Sequence, residues 1–419
     1  MRYMLVGIAA ILFLSGCSTV LPHPAELLEH PSLPKRERSL KERITADLPK
    51  KAEIVAPERQ HISRLYESID LNGDGEREAV AFYREVGKGD FSIGLLVYEM
   101  EDGRWKMRER RSVGSGESLD QVNFIPHGKD GHVDILVGIR KQEDSTLYSI
   151  SGVLKKIDIS MIDTYRRLVV EDLDQDGNKD IAVLQEGRPY RIILHERSGD
   201  RWGRQEVKLD SRESDLFADS DLFEATGVDA SRTPGLLVSY TRAAQMHLAV
   251  FRMTRGKLVP QSFGKQRKLV EPMYTFPKDV DRNGTIEYGH QYTPDGSEGN
   301  DGELPRITAY YTWSGKTVEP FFESGWELQQ EHYIDLEYNF VMRFPAQWMT
   351  RETIKKKENR IRFVNRETGQ TDFALEVIPK DSYVAVSGKR KIKEGTDYVY
   401  VIDAKKPYEN YAANVALVE

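Results

Sequence analysis

Between residues 60 and 322, apolar runs of four to six residues alternate with clusters of Gly, Asp and Pro. That is the pattern of strands cut by tight turns. Aligning on one turn residue gives five units, at Gly75, Gly131, Gly177, Pro234 and Gly284, spaced by 56, 46, 57 and 50 residues. Each turn leads into a strand-like run: Ala79 to Phe82, Ile135 to Ile139, Ile181 to Leu184, Leu236 to Tyr240 and the more polar Tyr288 to Tyr292. A second run often follows, as at Ile93 to Tyr98, Tyr190 to His195 and His247 to Phe251, and then a polar turn such as Asp102-Gly103-Arg104-Trp105, Ser198 to Trp202 or Thr254 to Lys257. About four strands in about 50 residues, repeated, is the signature of propeller blades. The expectation is a mainly β chain, with a β-propeller-like repeat domain of about five blades over residues 60–322.

The flanks read differently. Ser39-Leu40-Lys41-Glu42 has the form of a capping box, and Leu40, Ile44 and Leu48 share one helical face. A short helix over 39–48, ended by Pro49, is predicted within a tether spanning 18–59. Pro22, Pro24, Pro31 and Pro34 make the first part of that tether extended. After 322 the pattern changes. Trp326 to Glu331 reads as a junction, and Tyr333 to Trp348 as two strands that end in Pro345-Ala346-Gln347-Trp348. Strands at 360–365, 373–378 and 398–402 and a terminal helix at 408–418 complete an expected small α+β domain over 323–419.

Three of the five turns carry the candidate chemistry. They are Asp70-Leu71-Asn72-Gly73-Asp74-Gly75-Glu76-Arg77-Glu78, Asp172-Leu173-Asp174-Gln175-Asp176-Gly177-Asn178-Lys179-Asp180 and Asp279-Val280-Asp281-Arg282-Asn283-Gly284-Thr285-Ile286-Glu287. Oxygen-bearing side chains at positions 1, 3, 5 and 9, with glycine at 6, suit a hard cation such as Ca²⁺, and the glycine permits the turn that points them inward. The candidate ligands are therefore Asp70, Asn72, Asp74, Glu78, Asp172, Asp174, Asp176, Asp180, Asp279, Asp281, Asn283 and Glu287, with position 7 offering its backbone carbonyl. An EF-hand would need a glutamate at position 12 and flanking helices; position 12 here is Ala81, Val183 or His290, and strand-like sequence follows. The same loops without metal would be Asx turns shaping hairpins. The second unit, Pro126 to Asp134, keeps only the later half of the ligand set, and the fourth, Asp229 to Pro234, has one carboxylate.

An Asp-x-Asp/Asn-x-Asp/Asn-Gly-x-x-Asp/Glu loop feeding an apolar strand resembles the FG-GAP/VCBS repeats of integrin-α-type β-propellers. The resemblance covers roughly residues 60–322. It implies that the loop lies between two strands of a blade and holds a structural Ca²⁺. Residues 333–348 resemble the opening of PsbP-like domains of bacterial envelope proteins.

The first residues bear on location. Arg2 precedes an apolar run from Leu5 to Leu14, too short to span a bilayer, and Leu14-Ser15-Gly16-Cys17 follows. This resembles the lipobox of bacterial lipoproteins, which implies a signal peptide over 1–17, lipidation of Cys17 and an extracytoplasmic chain anchored to the cell membrane. Cys17 is the only cysteine, so an internal disulfide is excluded. The 419 residues carry 60 Lys and Arg against 67 Asp and Glu, for a net charge of −7. No basic stripe stands out, which argues against nucleic acid as a partner. No Gly-x-Ser-x-Gly elbow, His-Glu-x-x-His helix or phosphate-cradling Gly-x-x-x-x-Gly-Lys-Ser/Thr loop occurs, so no catalytic residue is assigned. His127 and His132 flank a turn and read as exposed polar residues, and Asp295 to Glu303 as an acidic hairpin tip. The sequence points to a lipid-anchored calcium-binding surface module for an envelope protein or polysaccharide. The other reading is a lyase or hydrolase acting on envelope polysaccharide or peptidoglycan, which would need carboxylates and histidines gathered near a central channel.

Overall fold

The computed structural model describes residues 35–59, 66–86, 91–127, 131–187, 190–198, 201–207, 222–242, 245–261, 271–273, 277–300, 302–316, 325–385 and 387–418. Cys17, the lipobox and the tether up to residue 34 lie outside them. The fold is mainly β and propeller-like: six antiparallel sheets of four or five strands follow one another along the chain.

The first sheet runs Ala52–Val55, Glu67–Ile69, Glu78–Val86, Phe91–Glu101 and Arg104–Gly116; the second Ser118–His127, His132–Lys141, Asp144–Ser151 and Asp158–Tyr165. The third comprises Arg167–Glu171, Asp180–Gln185, Arg191–His195 and Gln205–Val207, beside a small hairpin of Arg197–Ser198 and Arg201–Trp202. The fourth is built from Phe223–Gly227, Pro234–Arg242, Gln245–Met253 and Leu258–Gln261, with Glu271–Met273 added. All five sequence-predicted strands fall inside these elements or the fifth sheet.

Period-two alternation explains how the sheets stack. Along the second strand of the third sheet, Ile181 and Val183 face the second sheet, while Ala182 and Leu184 face the fourth. In the fourth sheet, Leu236 and Val238 look back to the third and Leu237 looks forward to the fifth. Strands buried on both faces must be apolar throughout, which is why these runs read as continuous rather than alternating. Separate apolar clusters join each sheet to the next, from first to sixth.

The outer face of the first sheet meets a helix instead of another sheet. Lys35–Asp47, four residues longer at its start than the predicted 39–48, sets Leu40 and Ile44, both fully buried, against Ala79, Ala81, Tyr83, Leu96 and Tyr98. Among the described residues no apolar cluster joins the sixth sheet to the first, so the helix covers a face that would otherwise be left open, as end caps do in repeat arrays.

Both expected domain boundaries fall inside sheets. Ala52–Val55 pairs with Glu78–Val86, so the first sheet begins before residue 60. Trp326–Asp335 pairs with Ile307–Trp313 across the boundary placed at 322/323. The fifth sheet therefore holds Tyr288–Tyr292, Ile307–Trp313, Trp326–Asp335, Phe340–Arg343 and Val415–Leu417. The junction is aromatic packing: Trp326 sits edge-on to Tyr288 at 5.2 Å. The last sheet, within 352–403, closes over Trp348, which stacks on Phe363 at 5.9 Å, with the turn fixed by Trp348 N–H donating to Pro345 O at 2.8 Å. The terminal helix predicted over 408–418 is confined to Glu409–Ala412; Val415–Leu417 is instead an edge strand of the fifth sheet, since Phe340–Arg343 offers it a free pairing edge.

Leu40→Ala opens a cavity between helix and first sheet, and is expected to lower unfolding stability by about 2–5 kcal/mol in urea titration; an unchanged midpoint would show that the helix does not cap the sheet.

Candidate metal centre

In the first and third sheets the acidic loop joins two paired strands, Glu67–Ile69 to Glu78–Val86 and Arg167–Glu171 to Asp180–Gln185; in the fifth it leads into Tyr288–Tyr292. Position 2 anchors two of them, since Leu71 and Leu173 are 1% exposed within the inter-sheet cores.

The three loops share one hydrogen-bond net. The position-9 carboxylate accepts the N–H of position 2: Glu78 from Leu71 at 2.8 Å, Asp180 from Leu173 at 2.9 Å and Glu287 from Val280 at 2.8 Å. The position-1 carboxylate accepts the N–H of the glycine: Asp70 from Gly75 at 2.8 Å, Asp172 from Gly177 at 3.1 Å and Asp279 from Gly284 at 2.9 Å. Those glycines have φ of 86°, 90° and 84°, the left-handed region that a side chain would strain. Position 4 is left-handed too, at Gly73, Gln175 and Arg282, a requirement the sequence does not announce.

Such a net is also what a metal-free Asx turn would make. A metal site would need, in addition, carboxylate oxygens gathered around one point. Oxygens of Asp74, Glu78 and Glu99 lie within 4.8 Å of one another, as do those of Asp172, Asp174 and Asp176, and those of Asp279, Asp281 and Glu287. Ligands around one Ca²⁺, each 2.3–2.6 Å from it, fall within about 5 Å of each other. Buried oxygens without a hydrogen-bond partner point the same way: Glu78 Oε1 in the first loop and Asp172 Oδ1 in the third. The hard-oxygen donor set and these orphaned atoms fit calcium.

The two incomplete units show the contrast. Asp134, at position 9 of the second unit, pairs with Arg197 from the third sheet's hairpin, both almost fully buried. Asp229, the lone carboxylate of the fourth unit, accepts Arg252 Nε at 2.8 Å, and Arg252 also reaches Gly315 O at 3.2 Å. Where the ligand set is incomplete, a guanidinium supplies the positive charge. Of the ten sequence-predicted carboxylates, Asp70 and Asp180 lie outside the convergent groups, Asp70 accepting the N–H groups of Gly73 and Gly75 and Asp180 those of Leu173 and Asp174. The amide of Asn72 donates to Asp74 and that of Asn283 to Asp281, so each asparagine is tied to a carboxylate of its group. Sequence reasoning missed Glu99, which lies outside the loop motif and meets it only through strand pairing.

Burial pushes the Glu78 carboxyl up to about 6, with Asp74 and Asp70 adding against the Leu71 N–H. Asp180 is pushed up to about 7 in the same way, with Asp174 adding, and burial raises Glu287. For Asp70 and Asp279, desolvation is outweighed by backbone N–H groups, led by Gly75 and Gly284, and both sit below the ordinary range.

Elsewhere His132 meets Lys155 Nζ at 2.9 Å, while the side chain of His127 lies outside the described residues. A cavity of about 760 Å³ opens between the fifth and sixth sheets beside Arg306, Leu336 and Lys356; of its carboxylates Glu303, Asp335 and Glu337, the last two are ion-paired to Lys356.

No protein-family model and no curated protein match this sequence. Among solved structures, it is similar to the WD40 domain of SCAP from fission yeast, at 9% identity over 85% of this chain and 99% of that one, with a TM-score of 0.29. A protein from Lactobacillus plantarum gives 7% identity over 77% and 94%, with a TM-score of 0.30. At such values the fold assignment rests on this chain's own strand pairing.

Two outcomes follow. Glu78 and Asp180 carry folded-state values above their unfolded values of 4.5 and 3.8, so both favour the native state when protonated. Without metal, that stability is lost as pH rises from about 4 through about 7, whereas Ca²⁺ takes the deprotonated groups. The Tm gain from saturating Ca²⁺ should therefore be larger at about pH 7.5 than at about pH 5; equal gains would contradict the assignment. Arg197→Ala strands a buried carboxylate and should cost about 3–5 kcal/mol whether or not Ca²⁺ is present, measured by chemical denaturation with and without chelator.

Proposed function

We propose that this protein is a lipid-anchored, extracytoplasmic, calcium-stapled module whose propeller-like sheets present a binding or scaffold surface at the bacterial cell envelope. The observation that carries it is the division among the five loops: three gather carboxylates, of which only Glu99, from the facing strand, is ion-paired among the described residues, and two place arginine beside their carboxylate. Calcium would act structurally, neutralising charge that otherwise repels itself at the mouth of a two-sided strand. Extracellular modules of this kind bind at about 10⁻⁴–10⁻³ M, matched to calcium outside the cell. The loop spacing supports membership of the FG-GAP/VCBS type; the PsbP-like likeness of residues 333–348 adds no function of its own.

Anchoring rests on Leu14-Ser15-Gly16-Cys17. Two acyl chains hold a soluble domain stably at a membrane, where one does not. Recognition would fall to loops on the rigid sheets, with an envelope protein or polysaccharide as partner.

Fractionation of cells expressing the full chain tests this directly. The wild-type protein is expected in the membrane fraction and Cys17→Ala in the soluble or unprocessed pool, and surface crosslinking should capture a partner only while calcium is present. Membrane association independent of Cys17, or capture indifferent to chelator, would overturn the respective half.

A further inference from the structure

The convergent group of the first loop is not made by the loop alone. Asp74 and Glu78 come from it, but Glu99 comes from the end of Phe91–Glu101, the next strand of the same sheet. Pairing of Ala79 with Tyr98 sets Glu78 directly across from Glu99. Side chains so placed have Cβ atoms about 4.5–5.5 Å apart, close enough to share an ion. Glu78 is fully buried, and its Oε1, in the same group, has no hydrogen-bond partner.

The third sheet repeats the register, beside a convergent group made of Asp172, Asp174 and Asp176. Ile181 pairs with His195, which puts Asp180 across from Glu196. Glu196 Oε1 is likewise buried without a hydrogen-bond partner. In the fifth sheet, Tyr288 pairs with Tyr311, so Glu287 faces Thr312, whose hydroxyl donates to Glu287 Oε1 at 3.2 Å. In the fourth sheet, the corresponding strand supplies Arg252 to Asp229. The residue facing position 9 is thus a carboxylate in the first and third sheets and a hydroxyl in the fifth, whereas Arg252 of the fourth sheet sits across from Gly235.

We propose that Glu99 and Glu196 are metal ligands contributed by the strand opposite the loop, so that the first and third ions each tie a loop to the neighbouring strand of its own sheet. The inference rests on the calcium reading above. Glu99 also accepts Arg108 Nε at 2.5 Å through Oε2. A carboxylate can hold a guanidinium with one oxygen and a cation with the other, so Arg108 orients Glu99 toward the loop. The fifth site, with Thr312 in that place, has one carboxylate fewer from its opposite strand, and should be the weakest of the three because ligand charge sets calcium affinity.

Calcium titration calorimetry on the full chain in detergent tests this, with Ca²⁺ as the probe. Wild type is expected to bind three ions. Glu99→Gln should weaken one site by about tenfold or more and leave two unchanged, and Glu196→Gln should do the same to a different site. Glu99→Asp keeps the charge and the fold but withdraws the oxygens by one methylene, and should lose affinity as well. Glu101→Gln, which removes another partner of Arg108, should leave all three sites at wild-type affinity. Three wild-type sites that persist in Glu99→Gln and Glu99→Asp would overturn the inference and leave the calcium reading standing. A wild-type chain that binds no calcium would remove both.

Discussion

Carboxylates buried at the start of strands that are themselves buried on both faces set the terms for this structure. Glu78, Asp180 and Glu287 are each at most 2% exposed, and each begins or adjoins a strand whose two faces feed two different cores. A charge there is far from bulk water and must be matched, protonated or expelled. The protein uses two of these answers on successive sheets. Arginine neutralises the second and fourth units from within the chain, and the first, third and fifth gather oxygens suited to an ion from outside.

That division gives the array a mixed sensitivity. Arg197 links the second sheet to the hairpin of the third, and Arg252 links the fourth unit to Gly315 of the fifth, so these joints hold regardless of calcium. On the calcium reading proposed above, the remaining loops would depend on it. Because, among the described residues, each sheet packs on its neighbours alone, weakening one loop is felt first by the two cores beside it, as in other repeat arrays. The helix Lys35–Asp47 closes one end of the stack, and the sheet within 352–403 closes the other with an aromatic cluster around Trp348 and Phe363.

Much of this was legible in the sequence because strand period and turn chemistry are local. Gly75, Gly177 and Gly284 marked the loops, and the runs after them became the doubly buried strands. The helix was legible from Leu40 and Ile44, though not its role as a cap, since nothing local says which face it covers. The boundary at 322/323 was misplaced because the change in composition there does not coincide with a change of sheet; Trp326 completes the fifth sheet by pairing with Trp313. Glu99 and Arg197 were invisible for a related reason. Each meets its loop through strand register or from a neighbouring unit, and a one-dimensional motif carries neither.

Native mass spectrometry of the full chain, released gently from detergent and titrated with Ca²⁺, counts the ions directly. Three bound per chain, with none at the arginine-filled second and fourth units, is the result that follows from the charge pattern. A chain that takes up no calcium, while keeping its fold at neutral pH, would show that Glu78, Asp180 and Glu287 are tolerated without a cation, and the account would fall.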